Sequence, residues 1–145
     1  MLLTNHVLTG SLLGLAIDEP WLLFPAGVAS HFILDSLPHY GDPKIIELSD
    51  KRFLWLGTAD GLVAITVAVS VCVARPDRIG HIVLGAVAGA FPDLFYIPEA
   101  LFGLKLDPAW WRRFHYKIQW YERPPGLAVD ALWAFLILAL IRQRL

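Results

Sequence analysis

The chain is short of cysteine, of charge and of any basic run ahead of its first apolar stretch. Cys72 is the one cysteine, so no intrachain disulfide forms and no thiolate metal site can be built. Charged residues make up 17% of the 145 residues, against roughly a quarter in soluble proteins. A net charge of −1 and a pI near 6.5 leave no broad positive field or basic domain, which excludes nucleic acid as a partner. The opening MLLTNHVLTG carries no Lys or Arg, which argues against a cleaved secretory signal and for a retained helix. No repeat or low-complexity segment breaks the pattern.

What the chain has in abundance is apolar surface: 57% of its residues are hydrophobic and its mean hydropathy is +0.56. The bilayer is the expected solvent, and the expected fold is all-α: a polytopic bundle of four to five transmembrane helices plus one interfacial helix, in a single membrane-embedded domain over 1–145. The first apolar stretch, Leu2 to Ile17, would span about 24 Å as a helix, short for a crossing but usable in a thin or tilted one. Asp18, Glu19 and Pro20 make a turn into a second helix that reaches Leu37, where Pro38 stops it. After the polar GDPKIIELSDKR, the stretch from Phe53 to Ala74 carries only Asp60 as a charge and reads as a crossing. ARPDR turns the chain into Ile79–Phe102, which Pro92 and Pro98 should kink. The last helix runs from about Gly126 to Ile141.

Between the last two crossings lies LDPAWWRRFHYKIQWYERPP, with Asp107 expected as cap, Pro108 in the first turn and Pro124 as the stop. Trp110, Trp111, Phe114, Trp120 and Tyr121 interleave with Arg112, Arg113 and Lys117, the mixture of a helix at the headgroup boundary beside anionic lipid, over about 107–123. An aromatic belt that only anchors the bundle has the same composition. Alternate threading puts Lys44, Lys51, Arg52, Lys105, Arg112, Arg113, Lys117 and Arg123 on one side and Arg75, Arg78, Arg142 and Arg144 on the other, so the first side is the expected cytoplasmic one.

The same threading brings His6, His31, Asp35, Asp60, Asp93 and Asp130 toward one membrane side. Ionisable groups inside a bilayer are costly, so they usually face a bundle interior and pair or bind something. His31 and Asp35 are four apart and share a helix face, and His39 follows just past Pro38. Imidazole and carboxylate are the ligand set of zinc and related divalent ions. The expected metal ligands are His6, His31, Asp35, His39, Asp93 and Asp130, with Asp93 and Asp60 as catalytic carboxylates. Zinc is the first choice of ion, manganese or iron the alternatives. Asn5 is a candidate to orient His6. His115, Gln119 and Glu122 share a face that either completes the site or is a solvated stripe. His81 falls on the opposite side, while Asp18, Glu47, Asp50 and Asp77 sit in solvated turns.

At SHFILDSLPHYGD, with the leading NH of MLLTNHVLTG and the later GAFPDLFYIPE, the chain resembles the YdjM-type family of small bacterial membrane proteins described as predicted metal-dependent hydrolases. The likeness covers chiefly the first 42 residues and about ten around Asp93. It implies a multi-pass protein of the bacterial inner (cytoplasmic) membrane, with His6, His31, Asp35, His39 and Asp93 as ligands. A PDLD-like element of that family reads PDLF here, and its HRG-THS-like element is matched at best by FHYKIQ around His115. The function expected is a membrane-embedded metal-dependent hydrolase acting on a lipid or lipid-linked phosphoester, with membrane lipids as partners. The rival is a non-catalytic assembly subunit or ion or proton pathway that uses the same residues for helix packing.

Overall fold

A computed structural model describes residues 1–42, 48 and 50–145; Lys44 and Glu47 lie outside them. The described residues form seven α-helices: α1 (Leu3–Ala16), α2 (Pro20–Asp35), α3 (Lys51–Ala74), α4 (Ile79–Leu94), α5 (Ile97–Phe102), α6 (Ala109–Ile118) and α7 (Leu127–Arg142). Prolines set several of these limits. A proline ring collides with the carbonyl four residues earlier, and α4 ends at Leu94, four before Pro98. The apolar run over 79–102 is therefore two helices rather than one kinked one. Likewise α2 stops at Asp35, short of the expected Leu37, with Pro38 just beyond.

The long helices alternate in direction. At one end of the bundle the start of α1 meets Asp60 of α3 and Asp130 of α7, and the end of α2 meets Asp93 near the end of α4. At the other end Arg78 pairs with Asp18, His81 Nε2–H donates to the Asp18 carbonyl at 2.8 Å, and Arg75 donates to the Arg144 carbonyl at 2.7 Å.

Helix α1 is the centre of this arrangement, in contact with α2, α3, α4 and α7. Asn5 to Ser11 are buried without interruption, with polar Asn5, His6, Thr9 and Ser11 among them, so this half of α1 is enclosed on all sides. Its partner is α4, and the two backbones nearly touch: a Cβ on Gly10 would lie 2.1 Å from the Gly85 carbonyl oxygen, and one on Gly89 would lie 2.4 Å from that of His6. Gly10 and Gly14 on α1, and Gly85 and Gly89 on α4, repeat at four-residue spacing, the small-residue pattern that lets membrane helices approach closely. Leu8, Leu15, Val71, Ile82, Ile137 and Ile141 fill the space toward the far end.

Two helical stretches, Lys51–Ala74 and Pro124–Arg142, are long and apolar enough to cross a membrane, each with a mean hydropathy of 1.9, and little of either is buried. Trp55, Val73 and Phe135 project outward at 76%, 75% and 69% exposure, a degree of apolar exposure that marks an interaction surface. The remaining bundle helices, α1, α2 and α4, have 14, 16 and 16 residues, below the roughly 20 of a full crossing.

Gly10→Val is expected to destabilise the protein by about 1–3 kcal/mol or more through overpacking at the α1–α4 contact. Gly61→Ala, with nothing within 4 Å of the added carbon, should leave stability unchanged or raise it by about 0.5–1 kcal/mol. Thermal unfolding in detergent compares the two, and equal melting of both variants contradicts the close-packed contact.

Candidate metal centre

The end of the bundle where α2 and α4 stop is covered by α6. Phe32 of α2 packs edge to face against Trp111 and Phe114 at centroid distances of 5.6 and 5.2 Å, and Phe95, just past α4, packs on Trp111 at 5.9 Å. The Arg112 guanidinium of α6 bonds Asp107, with Nε to Oδ2 at 2.7 Å, and also pairs with Glu99 of α5. This pairing holds the Asp107 carboxyl below the usual carboxylate range. Asp107 therefore serves Arg112 and not the helix cap, as Pro108 occupies the cap position without a side-chain bond.

So held, α6 turns His115 inward. One ligand atom each from His31, Asp35, Asp93 and His115 lies within 4.8 Å of the others. His115 Nε2 is 2.8 Å from Asp35 Oδ2, His31 Nε2 is 3.1 Å from the same oxygen, and the two Nε2 atoms are 3.2 Å apart. A tetrahedral ion with bonds of about 2.0–2.1 Å has ligand atoms about 3.3 Å from one another, close to this triangle. Asp93 Oδ1 stands a little farther off, at 3.7 Å from His31 Nε2 and 3.8 Å from His115 Nε2.

The hydrogen bonds behind these ligands suit a cation. His31 Nδ1 lies 2.8 Å from the Gly89 carbonyl, which can only accept, so Nδ1 carries the proton. In a neutral ring Nε2 is then a bare lone pair, facing a carboxylate oxygen and another imidazole nitrogen. A second proton on the ring or a cation between the groups resolves that conflict. His115 Nδ1 is 2.9 Å from the Tyr96 hydroxyl, which leaves its Nε2 for the site. Orienting partners of this kind accompany metal-bound imidazoles. His31, Asp35 and His115 have side chains at most 1% exposed, whereas that of Asp93 is 29% exposed. The site opens on the Asp93 side.

His6 flanks this group. Its ring stacks on His31 with centroids 3.9 Å apart, and its Nε2 lies 3.1 Å from Asp35 Oδ1, off axis for a hydrogen bond. Both ring nitrogens are buried without a hydrogen-bond partner among the described residues. The Met1 amino group lies 2.5 Å from the same Asp35 oxygen, and Gln119 donates to Oδ2 at 3.1 Å.

Other residues expected in the site have different employment. Asp60 accepts from the Leu3 amide at 2.6 Å, the Thr4 amide at 3.2 Å and the Thr4 hydroxyl at 2.5 Å. Asp130 accepts from the Leu2 amide at 3.2 Å, Asn5 Nδ2 at 2.9 Å and the Tyr40 amide at 2.7 Å. Both carboxylates satisfy open amides at the start of α1, where the helix dipole favours negative charge. Asn5 thus serves Asp130 and not His6. His39 is fixed by its backbone, whose amide donates to the Tyr121 carbonyl while its carbonyl accepts from Arg123, both at 3.1 Å. Its Nδ1 bonds the Leu37 carbonyl at 2.8 Å, and its buried Nε2 has no hydrogen-bond partner among the described residues. This pairing with 121–123 also explains why α6 ends at Ile118 and not at Pro124. Glu122 sits on that paired segment.

Gly89 and Tyr96 were not anticipated from sequence. Tyr96 lies three residues beyond Asp93, a spacing that places a phenol beside a carboxylate on one helical turn. Comparison of the chain with protein-family models, curated proteins and solved structures finds no match.

Asp60→Ala should lower stability by about 0.5–2 kcal/mol, the usual cost of a lost helix cap, and leave metal content per folded chain unchanged. Loss of metal with unchanged melting would instead return Asp60 to the site.

Proposed function

We propose that this chain is a membrane-embedded, metal-dependent hydrolase. The observation that carries the reading is the convergence of His31, Asp35 and His115, from α2 and α6, into a triangle of ligand spacing with Asp93 at its open side. Three protein ligands and one position left for water is the arrangement of catalytic zinc sites. Zinc is the preferred ion, with manganese and iron as alternatives. A bound divalent ion lowers the pKa of its water toward neutrality and supplies the nucleophile.

The chain's own groups do the rest. Asp93, the accessible carboxylate, takes the proton of the attacking water. Gly89 and Tyr96 hold the two imidazoles with Nε2 facing inward, and the His6 ring limits rotation of His31. The substrate class is a lipid or lipid-linked phosphoester, because the site lies at the end of an apolar bundle beside an aromatic and basic helix. A multi-pass placement in the bacterial inner membrane is supported by the two span-length helices and the outward apolar side chains. The resemblance at SHFILDSLPHYGD and GAFPDLFYIPE agrees with this reading. A non-catalytic assembly or ion-pathway role draws on a different observation, the use of Asp60, Asp130 and Asn5 as bonds between helices.

Elemental analysis and thermal unfolding in detergent separate the two. The hydrolase reading predicts a stoichiometric divalent ion, stripped in large part by His31→Ala or His115→Ala. It also predicts a chelator-sensitive melt, because free ion at a hundred times Kd stabilises by about 2.7 kcal/mol. Asp93→Asn should keep the ion and lose about 10²–10⁴-fold in hydrolysis of a phospholipid panel. Background metal and a melt indifferent to chelator would sink the reading.

A further inference from the structure

Helix α6 has two faces with different work. Trp111, Arg112, His115 and Ile118 turn toward the bundle, with His115 buried and the others partly so. Trp110, Arg113 and Lys117 fall on the opposite face, all exposed, Trp110 at 66%, while Phe114 lies at its edge, 46% exposed with its ring against Phe32. The two cations on that face differ from their neighbour. Arg112 is saturated by Asp107 and Glu99, whereas Arg113 and Lys117 form no ion pair among the described residues, Arg113 reaching only the Ala109 carbonyl at 3.4 Å. In the segment that leads into α6, Phe102 and Leu106 are also exposed, at 72% and 61%.

Unneutralised cations interleaved with exposed aromatic rings match the chemistry of a bilayer surface: phosphate for the cations, the headgroup and acyl boundary for the rings. We propose that the outer face of α6 binds the phosphates of anionic lipids, and that this contact steadies His115 in the metal centre. The second half rests on the metal reading above. Its physical basis is that one rigid turn of helix carries both functions. Phe114 precedes His115 directly and Lys117 follows it by two residues, so a lipid that fixes the outer face fixes the imidazole on the inner one. An acidic protein would satisfy the cations but gives no reason for Trp110, Phe114, Phe102 and Leu106 to be exposed together.

The test uses the full chain in nanodiscs of phosphatidylcholine with and without phosphatidylglycerol. Spin-labelled lipids report which headgroup the protein retains, and a zinc titration reports the metal centre. The wild type should retain phosphatidylglycerol over phosphatidylcholine in a salt-sensitive way, each cation contributing up to about fivefold. Its zinc affinity should be higher where phosphatidylglycerol is present. Arg113→Gln with Lys117→Gln, at exposed positions that leave melting unchanged, should abolish the preference and make zinc affinity equal in the two discs. A preference that survives the double substitution, or no preference in the wild type, overturns the lipid contact. A preference that the substitution removes, with zinc affinity indifferent to lipid, supports the contact and overturns its link to His115. Zinc that binds in neither disc, with the preference intact, supports the contact and overturns the metal reading instead.

Discussion

The structure depends on one carboxylate placed where carboxylates are expensive. Asp35 is fully buried, and burying a lone ionised carboxylate is unfavourable unless charges and hydrogen bonds surround it. Around it stand His31 of its own α2, His6 of α1, His115 of α6 with Gln119 just past that helix, and the Met1 amino group. The end of the bundle is assembled by the requirement that this group be compensated. An α6 displaced from the bundle would remove two of its partners at once. The aromatic packing of α6 on the helices beneath it is thus supplemented by a polar contact of high cost to break.

The positions of the other polar groups follow from the same economy of buried charge. Helix α1 begins inside the bundle, so its first amides cannot be left to water, and Asp60 and Asp130 reach in from α3 and α7 to accept from them. That fixes the register of α1 against its neighbours. The glycine pairs fix its distance from α4, and the close approach of α2 to α4 at Gly27 brings the Gly89 carbonyl within reach of His31. A backbone contact made for packing therefore also sets the tautomer of a ligand.

Much of this was legible in the chain. The spacing of His31 and Asp35 placed them on one face, alternate threading placed Asp93 at the same end, and Pro38 marked the end of α2, whereas Pro98 was read as a kink and in fact separates α4 from α5. What spacing does not reveal is whether a buried carboxylate is a ligand or a helix cap, because both uses demand the same residue at the same depth. Asp60 and Asp130 were read as site residues for that reason. His115 was weighed against a solvated stripe because it shares a helix face with Gln119 and Glu122; the pairing of Arg112 with Asp107 and Glu99 holds that face against the bundle. Hydropathy likewise treats α1 as a crossing, although the helix has 14 residues and is surrounded by α2, α3, α4 and α7.

The central claim is that two imidazoles and carboxylate oxygen hold one ion at the end of the bundle. X-ray absorption at the metal edge of the zinc-loaded protein tests it most directly. The account predicts a nitrogen and oxygen shell at about 2.0–2.1 Å, with the outer-shell scattering of two imidazole rings and no sulfur. A spectrum without imidazole scattering, or with a sulfur shell at about 2.3 Å, would contradict it.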